Sequence, residues 1–209
     1  MNIVNFSVRI EDSVDGEQVL KKLEKAGRTC YKSSSKISDD SYLSFIKRII
    51  INGHESVLEH EKVTVRVVCD RGVSHEVVRH RIGSYSQEST RYCNYSKNKF
   101  GNEITYIFPT FWELDDEKFE VWKKTMITIE DAYFKLIKMG ATPQEARSVL
   151  PNSLKTEIVI TYNLREWRHF FKVRTSKNAH PQMREVALTI LSKFLKLIPI
   201  VFDDILGNY

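Results

Sequence analysis

Two apolar patterns of different period run through this chain, and together they restrict its fold class. Val63, Val65 and Val67 alternate with Thr64 and Arg66 across residues 62–69. A two-residue period buries one side of a strand and leaves the other near solvent. Phe119, Trp122, Met126, Ile129, Tyr133 and Leu136 instead recur at steps of three and four. That is the stripe of a long amphipathic helix, closed by Gly140, whose apolar side faces a core or a partner subunit. Further strands are predicted at 3–10, 104–108 and 155–162 from β-branched, apolar runs. Helices are predicted at 15–26, ended by Gly27, and at 39–51, with Tyr42, Phe45, Ile46, Ile49 and Ile50 on one face and Gly53 behind it. A short helix at 72–78 leads into a polar segment. Thr142-Pro143-Gln144-Glu145 reads as a capping box with proline at the first helical position. A turn at 163–165 precedes helices at 166–174 and Pro181–Leu197. The connections do not suit hairpins, so the expected fold is α+β (mixed α/β), a central sheet flanked by helices. With 209 residues and no linker-like tract, residues 1–209 are expected to form a single domain.

Residues 79–92 cannot build a core, since Ile82 is their only aliphatic side chain longer than a methyl. They carry Arg79, His80, Arg81, Gln87 and Arg91 together with four Ser or Thr hydroxyls. Arginine forks grip phosphate and carboxylate, and hydroxyls and amides orient polar rings. A solvated basic loop is the alternative, but such loops favour Lys, Glu and Asp over Arg, Ser and Tyr. Arg174 lies seven residues after Trp167 and nearly in line with it, Phe170 and Phe171. Either it meets an anionic or polar ligand, or it snorkels at a helix C-terminus favoured by the dipole. Arg165 and His169, four apart on a neighbouring face, are placed to grip one ligand together.

His54-Glu55-Ser56 with Glu59-His60 resembles a zinc motif but has the wrong gap. Histidines six apart on a helix point roughly 240° from one another. Metal binding would need residues from distant segments, and none is assigned. A turn after Gly53 that presents His54 and Ser56 to a ligand stands beside the reading of structural histidines. Cys30, Cys69 and Cys93 form neither a disulfide framework nor a Cys-x-x-Cys pair, which fits a reducing cytoplasm. Cys93 has no local histidine to activate it as a nucleophile. No signal peptide is expected from residues 1–12, and Lys193, Lys196 and Pro199 interrupt the most apolar stretch, so no membrane span is expected. Net charge of +5 and a pI near 9.0 raise a nucleic-acid-binding alternative. Dispersed arginines interrupted by acidic residues speak against it. Neither G-x-G-x-x-G nor a P-loop occurs.

Arg79-His80-Arg81, seven residues and then Ser89, followed by Arg91 and Tyr92, resembles the signature of the flavin-dependent thymidylate synthases. Gly53-His54-Glu55-Ser56 with Glu59-His60, Ala146-Arg147 before Leu150-Pro151, Asn163-x-Arg165, and Val173-Arg174 through His180 are similar to further family blocks. The resemblance covers roughly residues 50–185. It implies a non-Rossmann flavin-binding fold and reductive methylation of dUMP to dTMP in dTTP biosynthesis. It further implies 5,10-methylenetetrahydrofolate as carbon donor, NADPH as reductant, FAD as hydride carrier, and a homotetramer with active sites shared between subunits. FAD contacts implied by the resemblance are Ser56, Arg79, His80, Arg81, Gln87, Asn163, Arg165 and His169. Glu76, Arg79, Gln87, Glu88, Ser89, Thr90, Arg91, Arg147 and Arg174 would line dUMP, and His54 would sit by flavin and folate. Arg174 takes the catalytic role: a guanidinium at the N3/O2/O4 edge favours the electron-rich, N3-ionised uracil. Ser89 has no evident base and is assigned to binding. Relative to many family members, Ser86-Gln87 replaces Asn-Glu and Glu76 replaces Gln.

Overall fold

Asn5 and Phe6 divide the first apolar run. The computed structural model describes residues 1–208, and all their side chains except those of Phe100 and 206–208. It forms Asn2–Val4 (β1) and Ser7–Ile10 (β2) where one strand is expected at 3–10. There follow α1 (Gly16–Arg28), α2 (Ser41–Ile51), β3 (Lys62–Asp70), α3 (Arg71–Val77), β4 (Ser84–Gln87) and β5 (Thr105–Ile107). The chain continues with α4 (Glu117–Lys138), α5 (Pro143–Ala146), β6 (Lys155–Asn163), α6 (Leu164–Arg174), α7 (Pro181–Leu197) and α8 (Pro199–Phe202). Strands β2-β3-β6-β4 make a four-stranded sheet, and β1 pairs in parallel with β5. The class is mixed α/β, with a second small sheet beside the expected one. β1 and β2 separate because they pair with different strands, which an apolar period cannot report. β4 emerges from the polar segment for the same reason: its backbone partners hold it, not an apolar face.

The chain divides into two compact units, one of residues 1–7, 67–79 and 86–159, the other of residues 8–66, 80–85 and 160 onward. In the first unit the stripe of α4 packs Met126 and Tyr133 with Tyr95, Ile104, Tyr106 and Leu154. Tyr106 Oη donates to the Met126 carbonyl at 3.1 Å, and Trp122 Nε1 donates to Ser153 Oγ at 3.1 Å. Glu130 is buried on the same helix and accepts the Ile104 N–H at 2.7 Å, so the carboxylate fastens β5 rather than spoiling the core. Gly140 has φ +95°, the left-handed conformation a helix end favours. At α5, the Glu145 carboxylate accepts from both the backbone N–H and the hydroxyl of Thr142.

In the second unit Trp167, Phe170, Phe171, Phe194 and Phe202 form one buried aromatic cluster. Trp167 Nε1 donates to the Val63 carbonyl at 3.0 Å, which ties α6 to β3. Gly27 does not end α1; the helix runs on to Arg28. A Cβ at Gly27 would stand 2.6 Å from the Phe45 ring, so the glycine serves close packing of α1 on α2. Gly27→Ala is therefore expected to cost about 1 kcal/mol in urea unfolding, because overpacking outweighs the helical gain of about 1 kcal/mol. Gly53, with φ +70°, follows α2 as expected. The turn expected at 163–165 is the start of α6: Asn163 Oδ1 caps it by accepting the Glu166 N–H at 2.8 Å. No described helix is long and apolar enough to cross a membrane.

Candidate functional site

α6 carries three polar side chains whose surroundings decide what they can do. Trp167, Phe170 and Phe171 bury one face, and the helix brings Glu166, His169 and Arg174 to the region of His80. His80 is 5% exposed. Its Nδ1 lies 3.0 Å from Glu166 Oε1, and its Nε2 lies 3.1 Å from Arg174 Nε. Arginine only donates, so Nε2 is the acceptor and Nδ1 carries the proton toward the carboxylate. Burial, then the Arg174 guanidinium and His169, push His80 down to about 4, so the ring is neutral at neutral pH. Burial also pushes the Glu166 carboxyl up, and His169 opposes that. The hydroxyl of Tyr162 lies 2.8 Å from that of Tyr85, and Tyr85 Oη donates to the His80 carbonyl. Both the backbone and the ring of His80 are thus held. His169 is exposed, its ring 5.5 Å from that of His80.

His80, Glu166 and His169 place ligand atoms within 4.8 Å of one another, the one grouping among the described residues able to hold a cation. The Arg174 guanidinium beside His80 opposes a metal ion there.

A cavity of about 1030 Å³ opens elsewhere in the same unit. His54, Ser56 and Arg165 line it, with Arg48, Ser33 and Phe45. The stretch Glu55–His60 is a 3₁₀ helix after Gly53, and His54, Glu55 and Ser56 all line the opening, Glu55 half-buried. Glu55 accepts from Arg168, which is 1% exposed and also pairs with both carboxylate oxygens of Asp204 at 2.7 Å. Arg165 pairs with Glu59 at 2.5 Å. His169, expected to grip a ligand together with Arg165, has its ring 5.5 Å from that of His80. Asn163 spends its side-chain oxygen on the α6 cap.

The first unit holds the remaining candidates. Gln87 Nε2 donates to Ser74 Oγ and Thr156 Oγ1, at 2.9 and 3.2 Å. Glu88 accepts from Lys155 at 2.7 Å and from Tyr95 at 3.1 Å. Ser89 Oγ accepts the Arg91 N–H, and Thr90 is buried. Arg91 Nε donates to Gln144 Oε1 at 3.1 Å, which brings it to the helical run that carries Arg147 three residues on. Glu76 is half-buried at the end of α3, and Arg79 is exposed. Arg81, in the second unit, is exposed as well. Burial and the nearby Glu88 push the Cys93 thiol up, which disfavours the nucleophilic thiolate. Cys30, Cys69 and Cys93 are all free thiols.

The sequence does not single out Glu166, Arg168, Tyr85 or Tyr162 as site residues. The spacing of Asn163 and Glu166, three apart as in a helix cap, marks the helix start, but no local pattern pairs Glu166 with a histidine 86 positions earlier.

The family described as thymidylate synthase complementing protein matches residues 14–200. A flavin-dependent thymidylate synthase of Pyrococcus abyssi is 39% identical over 79% of this chain and 67% of its own length. One from Geobacter sulfurreducens is 34% identical over 86% of this chain and 78% of its own. The fold resembles that of a UMP/dUMP methylase, PolB of Streptomyces cacaoi, solved with 5-Br dUMP: TM-score 0.79, 20% identity, covering 98% of this chain and 97% of that one. With a family match running from α1 to α8 and relatives this similar over most of their length, the chain belongs to the thymidylate synthase complementing protein family, that of the flavin-dependent thymidylate synthases.

Proposed function

We propose that this protein is a flavin-dependent methyltransferase that makes dTMP from dUMP, with FAD bound, 5,10-methylenetetrahydrofolate as carbon donor and NADPH as reductant. The observation that carries the reading is the family match along residues 14–200, which contains both Arg79–Tyr92 and Arg174. The match runs across both compact units, which supports treating residues 1–209 as one family domain.

The cavity at Gly53 suits a flavin nucleotide in size and chemistry. Its volume is near the upper end for small-molecule sites, Arg48, Arg165 and Ser56 can donate to a diphosphate, and Phe45 offers an apolar wall. His54 and Ser56 would hold the cofactor there, with Arg79, His80, Arg81, Gln87, Asn163 and His169 as further candidates from the family resemblance. When bound, FAD supplies the hydride chemistry that no side chain can. Arg91 and Arg147 are suited to the dUMP phosphate, as exposed forks carried on neighbouring segments. Ser89 and Thr90 add hydroxyls, and Glu76, Gln87 and Glu88 add polar contacts for the nucleoside. Arg174 faces the uracil ring and stabilises the electron-rich, N3-ionised form. Arg174 is half-buried beside the buried His80, which leaves its charge less screened than on an open surface and strengthens that field. Ser89 binds rather than attacks: its hydroxyl accepts the Arg91 N–H and has no base among the described residues to take its proton.

Purified protein should be yellow with a flavin spectrum, and should form dTMP from dUMP only with folate and NADPH present. A colourless protein that takes up no FAD and makes no dTMP sinks the reading. We take the working assembly to be a homotetramer with shared active sites, which light scattering should report as about four times 24.5 kDa. The three free thiols suit a reducing cytoplasm.

A further inference from the structure

We propose that Glu166 and His80 form a relay that aims Arg174: the carboxylate holds the imidazole in its Nδ1–H tautomer, and the Nε2 lone pair left by that choice takes the Nε–H of Arg174. The inference rests on reading Arg174 as the group that faces the uracil ring. It makes Glu166 and His80 positioning residues for the reaction.

The geometry leaves little choice of proton placement. A neutral imidazole has one donor and one acceptor, a carboxylate only accepts and a guanidinium only donates. His80 stands between the last two, at 3.0 and 3.1 Å, so only one tautomer satisfies both neighbours. The Nε2–H tautomer would set two donors against each other at Arg174 and two acceptors at Glu166. A protonated ring would also confront Arg174 with a donor and a second positive charge. The site is buried enough for such a mismatch to matter, with side-chain exposure of 4% for His80 and 8% for Glu166. Phe170 lies edge-on to the imidazole at 5.0 Å and limits its rotation.

Arg174 needs this support because it ends its helix. Glu166 and Arg174 are eight residues apart on α6, just over two turns, and the imidazole bridges the ends of their side chains. A long side chain on the last turn has many rotamers, and fixing Nε removes most of them. Loss of about 1 Å of placement at a reacting group can cost on the order of 100-fold in rate.

The test compares Glu166→Leu and Glu166→Gln in the FAD-loaded enzyme. Leucine fills the space without an acceptor, and glutamine keeps an oxygen that can accept the Nδ1–H. Glu166→Leu should lower kcat for dTMP formation about 10- to 100-fold, with FAD content and the KM for dUMP changed by less than about threefold, a split a folding defect does not produce. Glu166→Gln should recover most of the lost rate. Histidine-selective ¹⁵N NMR gives a readout independent of turnover, with the His80 resonances assigned from a His80→Asn variant. Wild type should show Nδ1–H and a bare Nε2, and Glu166→Leu should lose that preference. Wild-type kcat in Glu166→Leu, a rate loss that appears only with FAD loss, or an Nε2–H tautomer in wild type each overturns the relay. Should wild type make no dTMP, the functional reading fails by itself, and the tautomer still decides whether Glu166 and His80 hold Arg174.

Discussion

Arg174→Ala should lower kcat for dTMP formation by about 10²- to 10³-fold, the usual loss when one aimed donor to developing charge is removed. Flavin should remain bound, because the cavity at Gly53 draws its donors from Arg48, Ser56 and Arg165. Arg174→Lys should recover little. Lysine restores a charge, but it lacks the Nε–H that meets His80 at 3.1 Å and the planar fork that matches a ring edge. The measurement is a steady-state assay for dTMP beside a flavin absorption spectrum of each variant. Near-normal kcat in Arg174→Ala would refute the ring-activating role, whereas loss of the flavin spectrum would make the residue part of cofactor binding instead.

Arg168→Met is expected to cost about 3 kcal/mol of stability, from the loss of one member of a buried ionic cluster. The guanidinium is 1% exposed and donates to Glu55, to both oxygens of Asp204 and to the Val201 carbonyl. Methionine replaces the stem, so the loss reports the unpaired acceptors more than a cavity. The figure stands at the low end for a buried pair because the Asp204 side chain is 47% exposed and water can solvate it. The pH dependence has a definite sign. Hydrogen bonding to Arg168 holds the Asp204 carboxyl below its ordinary 3.8. A depressed carboxyl contributes stability above the unfolded value, and the contribution is lost as pH falls through the folded one. Urea midpoints of wild type and Arg168→Met should therefore differ most near neutrality and converge below about pH 4. FAD affinity should fall too, because Glu55, tied to Arg168, sits between His54 and Ser56 at the cavity. An unchanged midpoint at pH 7 would show that the cluster is energetically neutral.

Strong local signals carried much of the fold. α7 occupies the expected Pro181–Leu197, because proline at its first position and an unbroken stripe mark both ends. β3 buries Val63, Val65 and Val67 as the alternation requires. Local signals misled where a residue had two possible uses. Gly27 looks like a helix stop, but its missing Cβ makes room for Phe45. Asn163 looks like a turn residue, but its oxygen caps α6. β4 lacks any apolar face, so nothing in residues 84–87 announces a strand.

The candidate site divides along the same line. Which groups are present, the arginine forks of residues 79–91 and the guanidinium on the α6 stripe, could be read from residue types and short spacings, since those follow from side-chain chemistry and helical period. Whom each group meets could not. The Arg-His-Arg run marks His80 as a ligand-binding candidate, but nothing local shows that its ring lies between Glu166 and Arg174, 86 and 94 positions along the chain. Nor does the sequence show that Gln87 meets Ser74 and Thr156, or that Glu88 meets Lys155 and Tyr95. Pairings of this kind depend on the path of the chain and on which partner remains once burial has removed water. A periodicity over ten residues holds no record of that; packing across the whole unit does.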